Sequence, residues 1–477
     1  MPRAMFVIAI AATSFASLSF ISDAQSQAVK QDAPVQAPKQ QGSQEAASAD
    51  VQAAPRGPDY GPNPDVSKPE ESWVLPTISW AKVEPWPEGK KPQAGQGLAV
   101  NAFARDLKHP RWLYVLPNGD VLAAESASEA KNSWNPRTIV QNWVMRQVRS
   151  IAENANRITL LRDTNKDGVA DERHVFLEGL RQPFGMALIG DKFYVANTDS
   201  VVVYPYKEGE TKITAQGQKL MDLKVGHHWT RNILPSKDGT KLYVTVGSGS
   251  NIAENGQAEE EGRAAIHELD LATGKSRIYA GGLRNPNGMG WEPQTGVLWT
   301  VVNERDELGN AMPPDYITSV QDGGFYGWPW SYWGKNVDER VQPQRSDLVA
   351  KSITPDFALG AHTAALGMTF DEGSKLPPPY QGGAFIGLHG SWNRDQLEGY
   401  RVVFLPFKDG KPQGMPVDVL HGFLQGDGSM AHGRPVGVTL DRSGALLAAD
   451  DAGDTIWRVT GTSAVSQAEP GKTGPRN

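Results

Sequence analysis

Hydrophobic and polar positions alternate in short runs along most of the chain, and each run follows a turn rich in Pro, Asp or Gly. The combination recurs six times, in residues 116–126, 188–206, 234–250, 291–304, 379–391 and 440–460. A tight turn followed by alternating or continuous β-forming residues predicts a strand packed on a core. Six copies at a mean spacing of about 65 residues indicate a repeat architecture. We therefore predict an all-β fold, a six-bladed β-propeller, with a β-sandwich or two smaller β-domains as the alternative.

The two ends of the chain differ in composition from its middle. An apolar run, Met5 to Ile21, follows Arg3 and precedes a small-residue cleavage site, which predicts a signal peptide over residues 1–24; an uncleaved anchor is the alternative. Residues 25–69 and 463–477 are poor in large apolar side chains, which predicts a disordered linker and tail. The folded, catalytic part is then 70–462, with one helical insertion, Pro136 to Asn154.

Composition narrows the class of protein. The chain has no cysteine, so its stability cannot depend on disulfides. A net charge of −7 argues against a nucleic-acid partner, which would select a basic face. Beyond the leader no apolar run is long enough for a membrane span. We expect a periplasmic or secreted protein with no stable membrane span in the mature chain.

One segment has the spacing of a calcium loop. Asp163, Asn165 and Asp167 alternate before Gly168, so oxygen ligands could converge on a hard cation while the glycine makes the turn. A full loop would place a bidentate Glu where His174 stands. The alternative is a hairpin turn whose side chains bond to the local backbone.

Several loops carry candidate chemistry. His227 and His228 stand together before Arg231, and could give a general base or simply two exposed loop histidines. Arg284 and Asn285 precede a predicted strand, and Asn303 to Leu308 follow it, so that strand would carry the two loops to opposite edges of the sheet and only further folding could bring them together. The acidic residues of the second loop could bind Ca²⁺ or form a solvated turn. Several aromatic residues stand among glycines in Gly323 to Gly334, a density that is common at blade edges but can also wall a pocket for a planar ligand. His389 to Arg394 and His432 to Pro435 add cations that suit a ligand with several carboxylates.

Together these phrases resemble the soluble pyrroloquinoline quinone (PQQ)-dependent sugar dehydrogenases, and more closely their sorbosone-dehydrogenase-like relatives. The shared phrases, in order, are HHWTRN, TVGSGSN, GLRNPNGM, NERDELG, PPDY, GGFYGWPW, HGSWNR, GRPVG and LLAADDAGDTIWRV, spread over roughly residues 105–460. The resemblance implies a six-bladed propeller that binds PQQ and Ca²⁺ and oxidises an aldose or sugar-derived aldehyde by hydride transfer. Electrons would pass to a quinone or cytochrome acceptor.

The resemblance also implies roles for matching residues. His228, or His227, would be the base that takes the substrate's hydroxyl proton, and Arg231 follows it in the motif. Residues implied to bind the cofactor are Arg284, Asn285, Arg434, Arg394, His389 and Gln182. Asp306 and Glu307 stand where relatives hold calcium through the carbonyls of a Gly-Pro pair. The segment Asp315 to Tyr326 aligns with a second, structural calcium site.

Three departures from the glucose-oxidising members make glucose doubtful as the substrate. In those members the base and the arginine are spaced as His227 and Arg231 are here. Backbone carbonyls, rather than an acidic pair, hold their calcium. They also have a lysine that faces the quinone, which His389 or Arg394 must replace in this chain. Two alternatives remain at the level of sequence: a calcium-dependent sugar lactonase, and a non-catalytic propeller that binds a carbohydrate or a protein partner.

Overall fold

A computed structural model describes residues 57–66, 69, 79–132, 134, 136–426 and 428–462 of the chain. The predicted signal peptide, most of the predicted linker and the predicted tail lie outside the described residues. No helix in the described ranges is long and apolar enough to cross a membrane.

Four strands precede the first complete sheet: the two-residue strands β1 Tyr60–Gly61, β2 Lys82–Val83 and β3 Gln93–Ala94, and the longer β4 Leu98–Ala104. Each pairs with a strand that comes much later in the chain. Residues 57–66 fall inside the predicted linker, yet Asp59 and Tyr60 are buried. These ten residues of the predicted linker therefore belong to the folded part, which begins earlier than the sequence indicated.

The first three sheets, A to C, are four-stranded and antiparallel, and each is built from consecutive strands. Sheet A has β5 Pro110–Val115, β6 Val121–Glu125, helix α1 Pro136–Gln147, β7 Arg157–Arg162 and β8 Glu172–Leu177. Sheet B has β9 Met186–Ile189, β10 Lys192–Ala196, β11 Ser200–Pro205 and β12 Gln218–Asp222. Sheet C has β13 Ile233–Pro235, β14 Lys241–Val246, a 3-10 turn Gln257–Glu260, β15 Ala265–Asp270 and β16 Ser276–Gly281.

Sheets D to F follow in the same way but recruit the early strands. Sheet D has β17 Pro286–Trp291, β18 Leu298–Val302, β19 Pro314–Ser319 and β22 Phe357–Ala361, which pairs with β1. Between β19 and β22 the chain forms a separate hairpin, β20 Ser331–Tyr332 and β21 Asn336–Val337, and helix α2 Ser346–Val349. Sheet E has β23 Ala365–Phe370, β24 Gly383–Leu388, β25 Arg401–Lys408, β26 Lys411–Pro412 and β27 Val417–His421, which pairs with β3. After β28 Leu424–Gln425 and β29 Met430–Ala431, the latter parallel to β2, sheet F has β30 Pro435–Leu440, β31 Leu446–Asp450 and β32 Thr455–Gly461, which pairs with β4.

The first strands of the six sheets touch one another in sequence order. β5 contacts β9, β9 contacts β13, and the contacts continue through β17, β23 and β30 back to β5. Where sheets E and F meet, a Cβ added to Gly367 would lie 1.9 Å from the carbonyl oxygen of Val436. Only glycine allows this approach between two backbones.

Hydrophobic clusters fill the spaces between neighbouring sheets. Val301 of sheet D and Ile386 of sheet E share one cluster, and Val195 of sheet B packs with Leu122 of sheet A in another. Second strands such as β18, β24 and β31 are buried on both faces, which explains why their sequences are continuous apolar runs rather than alternating ones.

The all-β prediction is confirmed. Each of the six turn–strand repeats contains the second strand of a different sheet: β6, β10, β14, β18, β24 and β31. The predicted helical insertion is also confirmed, although the helix ends at Gln147 rather than extending to residue 154.

Candidate active site

Loops that precede first strands and loops that follow second strands lie at one edge of the sheets, which we call the site edge. In sheet D, Arg284 precedes β17 and Asn303 follows β18, and Pro286 lies opposite Val302. The prediction that one strand would separate these loops was wrong, because a turn over residues 292–297 divides that segment into a hairpin. Both ends of an antiparallel hairpin lie at the same edge of its sheet.

His228 lies at this edge in the loop before sheet C. Its Nδ1 is 2.9 Å from the carbonyl oxygen of Ser248 and 3.0 Å from the Ser248 Oγ. A carbonyl oxygen only accepts, so Nδ1 carries the hydrogen and Nε2 keeps its lone pair. Desolvation and the Arg284 guanidinium hold the pKa of His228 well below its ordinary value. The ring is therefore a neutral base with Nε2 as its free nitrogen.

Gly247 allows His228 and Asn285 to approach each other. A Cβ at position 247 would lie 2.3 Å from the Asn285 Oδ1 and 2.6 Å from the His228 Cβ. The Asn285 Oδ1 is buried and has no hydrogen-bond partner among the described residues. An unused acceptor thus lies across a glycine from the candidate base.

His227 is exposed, and its ring meets that of His228 edge to face, with centroids 4.7 Å apart. Arg231, unlike His227, is fully buried. Its guanidinium donates to the carbonyl oxygens of His228 at 2.7 Å, Thr230 at 2.8 Å and Lys224 at 2.8 Å. Arg231 therefore holds the loop that carries the histidine.

Arg284 joins the two ends of the sheet D hairpin. Its guanidinium donates to the Asn303 Oδ1 at 3.0 Å and to the Glu304 carbonyl at 2.6 Å. It also donates to the Asn251 Oδ1 at 2.9 Å and lies 3.3 Å from the Asp306 Oδ2. These partners fix a buried cation beside His228.

Asp306 and Glu307, the predicted calcium pair, have different surroundings. Burial would raise the pKa of Asp306, but His362 and Arg284 hold it at about 2. Its second oxygen, Oδ1, accepts from the Asn393 amide at 2.8 Å. Glu307 is exposed. The Asp306 carboxylate is thus ionised and already engaged by protein donors.

The two residues predicted to hold a structural calcium are also bound to the backbone. Asp315 accepts from the N–H groups of Glu304 at 2.7 Å and Ala364 at 2.6 Å, and the Tyr326 hydroxyl donates to the Ser319 carbonyl at 2.6 Å. Over the ranges that the structure describes, no group of three or more His, Asp or Glu side chains is arranged to hold a metal ion.

Side chains of the Asp163 loop bond to the local backbone, as the hairpin alternative predicts, and calcium binding by this loop stays a prediction. Asp163 accepts from the N–H groups of Asp167 at 3.2 Å and Gly168 at 2.8 Å, and the Asn165 Oδ1 accepts from the Asp167 N–H at 3.0 Å. The Asp167 Oδ1 accepts from the N–H of Val169 at 2.8 Å. These local bonds stabilise the turn before β8.

A second polar cluster at the site edge joins sheets A, E and F. The His389 Nε2 donates to the Asp451 carboxylate at 2.9 Å, and Arg111 forms an ion pair with the same carboxylate. Arg434 donates to the carbonyl oxygens of His389 at 3.1 Å and Gly390 at 2.8 Å. Burial and the Arg434 guanidinium lower the pKa of His389 to about 3.

The remaining two predicted cofactor ligands hold other parts of the chain. Arg394 donates to the buried Asp59 at 2.7 Å and to the Ala361 carbonyl at 3.1 Å. The Gln182 side chain donates to the Ala127 carbonyl at 2.8 Å. Contact with a cofactor stays a prediction for both.

Sequence reasoning missed Ser248 and Asp451. Asp451 directly follows the second strand of its sheet, as Asn303 and His389 do, and Ser248 stands one residue further from the end of its strand. A residue at this point of the repeat lies at the site edge, so the repeat itself carried the signal.

Comparison with known proteins places this fold in a family. A TrAA12-like family model matches residues 92–316 and 336–462. A protein of Borreliella burgdorferi is 30% identical over 59% of this chain and 76% of its own length. An aldose sugar dehydrogenase of Escherichia coli is 33% identical over 24% of this chain, and a pyrroloquinoline quinone-dependent pyranose dehydrogenase of Coprinopsis cinerea is 26% identical over 38%. The chain spans only 29% and 30% of the lengths of those two dehydrogenases.

Solved structures agree on the fold. The Trichoderma reesei carbohydrate-active enzyme of family AA12 matches with a TM-score of 0.64 at 18% identity, covering 82% of this chain and 100% of that one. The holo PQQ domain of the Coprinopsis cinerea pyranose dehydrogenase matches with a TM-score of 0.63 at 20% identity, covering 80% and 100%. Since the family model matches more than half of the chain, the protein belongs to the TrAA12-like family, and the resemblance to soluble PQQ-dependent sugar dehydrogenases is confirmed.

Proposed function

We propose that the protein is a PQQ-dependent oxidoreductase on a six-bladed β-propeller that oxidises an aldose or a sugar-derived aldehyde such as sorbosone. The observation that carries the proposal is the His228 Nε2, a neutral base at the site edge whose other nitrogen is fixed by Ser248. The closed series of contacts from β5 to β30 and back to β5 supports six blades. Export to the periplasm or the medium is part of the proposal.

The residues of the site edge suit a planar quinone with carboxylates. The unpartnered Asn285 Oδ1 can accept from a ligand N–H or O–H, and the Arg111 Nε is likewise buried without a partner. Arg434 has one further nitrogen, Nη1, whose described partner is the Ser150 Oγ at 3.3 Å. Guanidinium groups are the best partners for carboxylates. Bound PQQ would supply an electrophilic carbonyl carbon that accepts hydride.

The chain's own part in the reaction is proton transfer and orientation. The His228 Nε2 takes the hydroxyl proton of a sugar hemiacetal or aldehyde hydrate as the neighbouring carbon gives up hydride. Ser248 keeps the imidazole in the tautomer that can accept this proton. Arg284 is a fixed positive charge that stabilises the oxygen losing its proton. The substrate thus loses two electrons and two hydrogens and becomes a lactone or an acid.

Calcium enters the proposal from the resemblance. The oxygens of the Asp306 carboxylate accept from Asn393 and lie beside Arg284, so a cation there would have to displace existing partners. We therefore derive no step of the reaction from a metal. The electron acceptor in the proposal is a quinone or a cytochrome.

An absorbance titration of the apo-protein with PQQ, with and without Ca²⁺, tests the proposal. We expect a saturable complex whose quinone band is bleached by one member of a panel of aldoses and aldehydes. Binding without bleaching by any sugar would contradict the substrate class. An absence of binding at excess calcium would contradict the cofactor, and lactone hydrolysis would then be measured on the same sample.

A further inference from the structure

Helix α1 exposes large apolar side chains to solvent. Ile139 and Trp143 are 51% and 53% exposed, and Arg146 on the same side is also exposed. The spacings of four and three residues put these side chains on one stripe of the helix. The helix lies between β6 and β7, so it follows a second strand and stands at the site edge.

The apolar stripe continues onto neighbouring tryptophans. The Trp80 ring packs against that of Trp143, with centroids 6.0 Å apart. The N–H of Ser79 donates to the Trp392 carbonyl at 2.9 Å, and Trp392 is 40% exposed. Trp134, just before the helix, is 94% exposed. Exposed apolar patches of this kind mark interaction surfaces. We call Trp80, Trp134, Ile139, Trp143 and Trp392 the tryptophan patch.

The charge around the helix is opposite in sign to that of the whole chain. Residues 130–152 contain four cations, Lys131, Arg137, Arg146 and Arg149, and no acidic residue, whereas the chain carries a net charge of −7. Arg149 is paired with Asp454. Since salt screens charges beyond about 8 to 10 Å, an anionic surface that touches α1 meets the exposed Lys131 and Arg146 rather than the net negative charge of the chain.

The tryptophan patch lies close to the candidate base. Asn142 of α1 bonds to the backbone of Lys131, accepting from its N–H at 3.2 Å and donating to its carbonyl at 2.9 Å. Three residues before Lys131, the Ser128 Oγ accepts from the Trp229 Nε1 at 2.8 Å, and Trp229 is the neighbour of His228 in the chain. A partner bound to α1 would therefore be held beside the loop that carries the candidate base.

We propose that α1 and the tryptophan patch dock the protein on an anionic lipid membrane surface, with the site edge facing the bilayer. An apolar stripe that contains tryptophan, flanked by cations and free of acidic residues, is the composition of helices that lie in the membrane interface. The docking proposal rests on the proposed function, because a membrane holds the lipid-soluble quinones that could accept electrons from a sugar dehydrogenase. An acidic acceptor protein or an acidic oligosaccharide would be a different occupant.

Co-sedimentation of the isolated protein with vesicles tests the docking. We expect binding to phosphatidylglycerol/phosphatidylcholine vesicles, much weaker binding to pure phosphatidylcholine, and loss of binding in 500 mM salt. Each cation near an anionic surface contributes about fivefold in affinity, so Arg146→Glu should weaken binding by more than about fivefold. Trp143→Ser should weaken it by a similar factor. The matched controls, Lys275→Glu and Ile278→Ser, exchange exposed residues of the β15–β16 hairpin and should bind as the unchanged protein does.

Hydrogen–deuterium exchange with and without anionic vesicles locates the contact, and protection should appear in residues 131–150. Equal sedimentation of the α1 variants and the unchanged protein, or protection elsewhere only, would overturn the docking proposal. So would protection of α1 by an acidic protein or oligosaccharide but not by vesicles. Sugar oxidation with a soluble dye acceptor is measured in parallel. An absence of sugar oxidation would reject the proposed function, whereas an absence of vesicle binding would reject only the docking proposal.

Discussion

The His389 Nε2 donates to the Asp451 carboxylate at 2.9 Å and thereby joins the loop after β24 to the loop after β31. The same carboxylate is paired with Arg111 of sheet A, and the Arg111 guanidinium lies 5.3 Å from the centre of the Trp229 ring. Trp229 is the neighbour of His228. One buried anion thus links three sheets to the loop of the candidate base.

Replacement of Asp451 should therefore be costly. Asp451→Asn leaves Arg111 as a buried charge without its partner, and breaking a buried pair typically costs about 3–5 kcal/mol. We expect a loss of this size in the free energy of unfolding, measured by urea denaturation at pH 7. Asp347→Asn, which removes the partner of the exposed Arg345, should leave stability unchanged. A stable Asp451→Asn protein would show that the cluster is not held by this anion.

The sequence predicted the repeats well because each second strand is marked by its own turn and apolar run, as in Val121–Glu125 and Leu446–Asp450. It failed at the strand before such a turn: nothing in the pattern marked a separate strand at Pro286–Trp291, ahead of the turn at Pro293 and Gly296. The loops at Arg284 and Asn303 were therefore predicted to lie at opposite edges of the sheet. Contacts such as Arg394 with Asp59, 335 residues apart, depend on how the sheets are arranged and leave no local pattern.

Loss of the Ser248 side chain should lower kcat less than loss of the candidate base, His228. His228→Ala removes the proton acceptor and should lower kcat by about 10²–10⁴ while PQQ binding persists. Ser248→Ala leaves the carbonyl of residue 248 to hold Nδ1, so kcat should fall by less than about tenfold. Steady-state kinetics with the substrate found in the titration check both. His227→Ala is the matched control, and a larger loss there than in His228→Ala would make His227 the base.

Glu304 should make stability depend on pH. Burial raises the pKa of this carboxyl to about 7, above the value of 4.5 for an exposed glutamate, although Arg284 lowers it. The folded protein then binds a proton that the unfolded chain has lost, so this stability is present in full below pH 4.5 and is lost as pH rises through 7.

Glu304→Gln should remove that dependence. The decrease in the free energy of unfolding from pH 5 to pH 8 should be smaller in the variant, by on the order of 2 kcal/mol. Urea denaturation at several pH values within this range measures it. Glu261→Gln, at an exposed position, should keep the slope of the unchanged protein. The same slope in Glu304→Gln would assign the pH dependence to other buried carboxyls, of which Asp315 and Asp450 have pKa values raised to about 6 by burial.

The contact between sheets E and F should be intolerant of a single methyl group. Ala at position 367 would place its Cβ 1.9 Å from the Val436 carbonyl oxygen, and because that oxygen belongs to the backbone of β30, the whole strand must move to relieve the clash. Overpacking of this kind costs about 1–3 kcal/mol, so Gly367→Ala should lower the thermal midpoint by several degrees. Gly281→Ala is the matched control, since its new Cβ would find its nearest neighbour at 3.9 Å and should change the midpoint little. Equal midpoints for the two variants would mean that β23 and β30 are not packed backbone to backbone, and the proposal of six blades would lose its support at that junction.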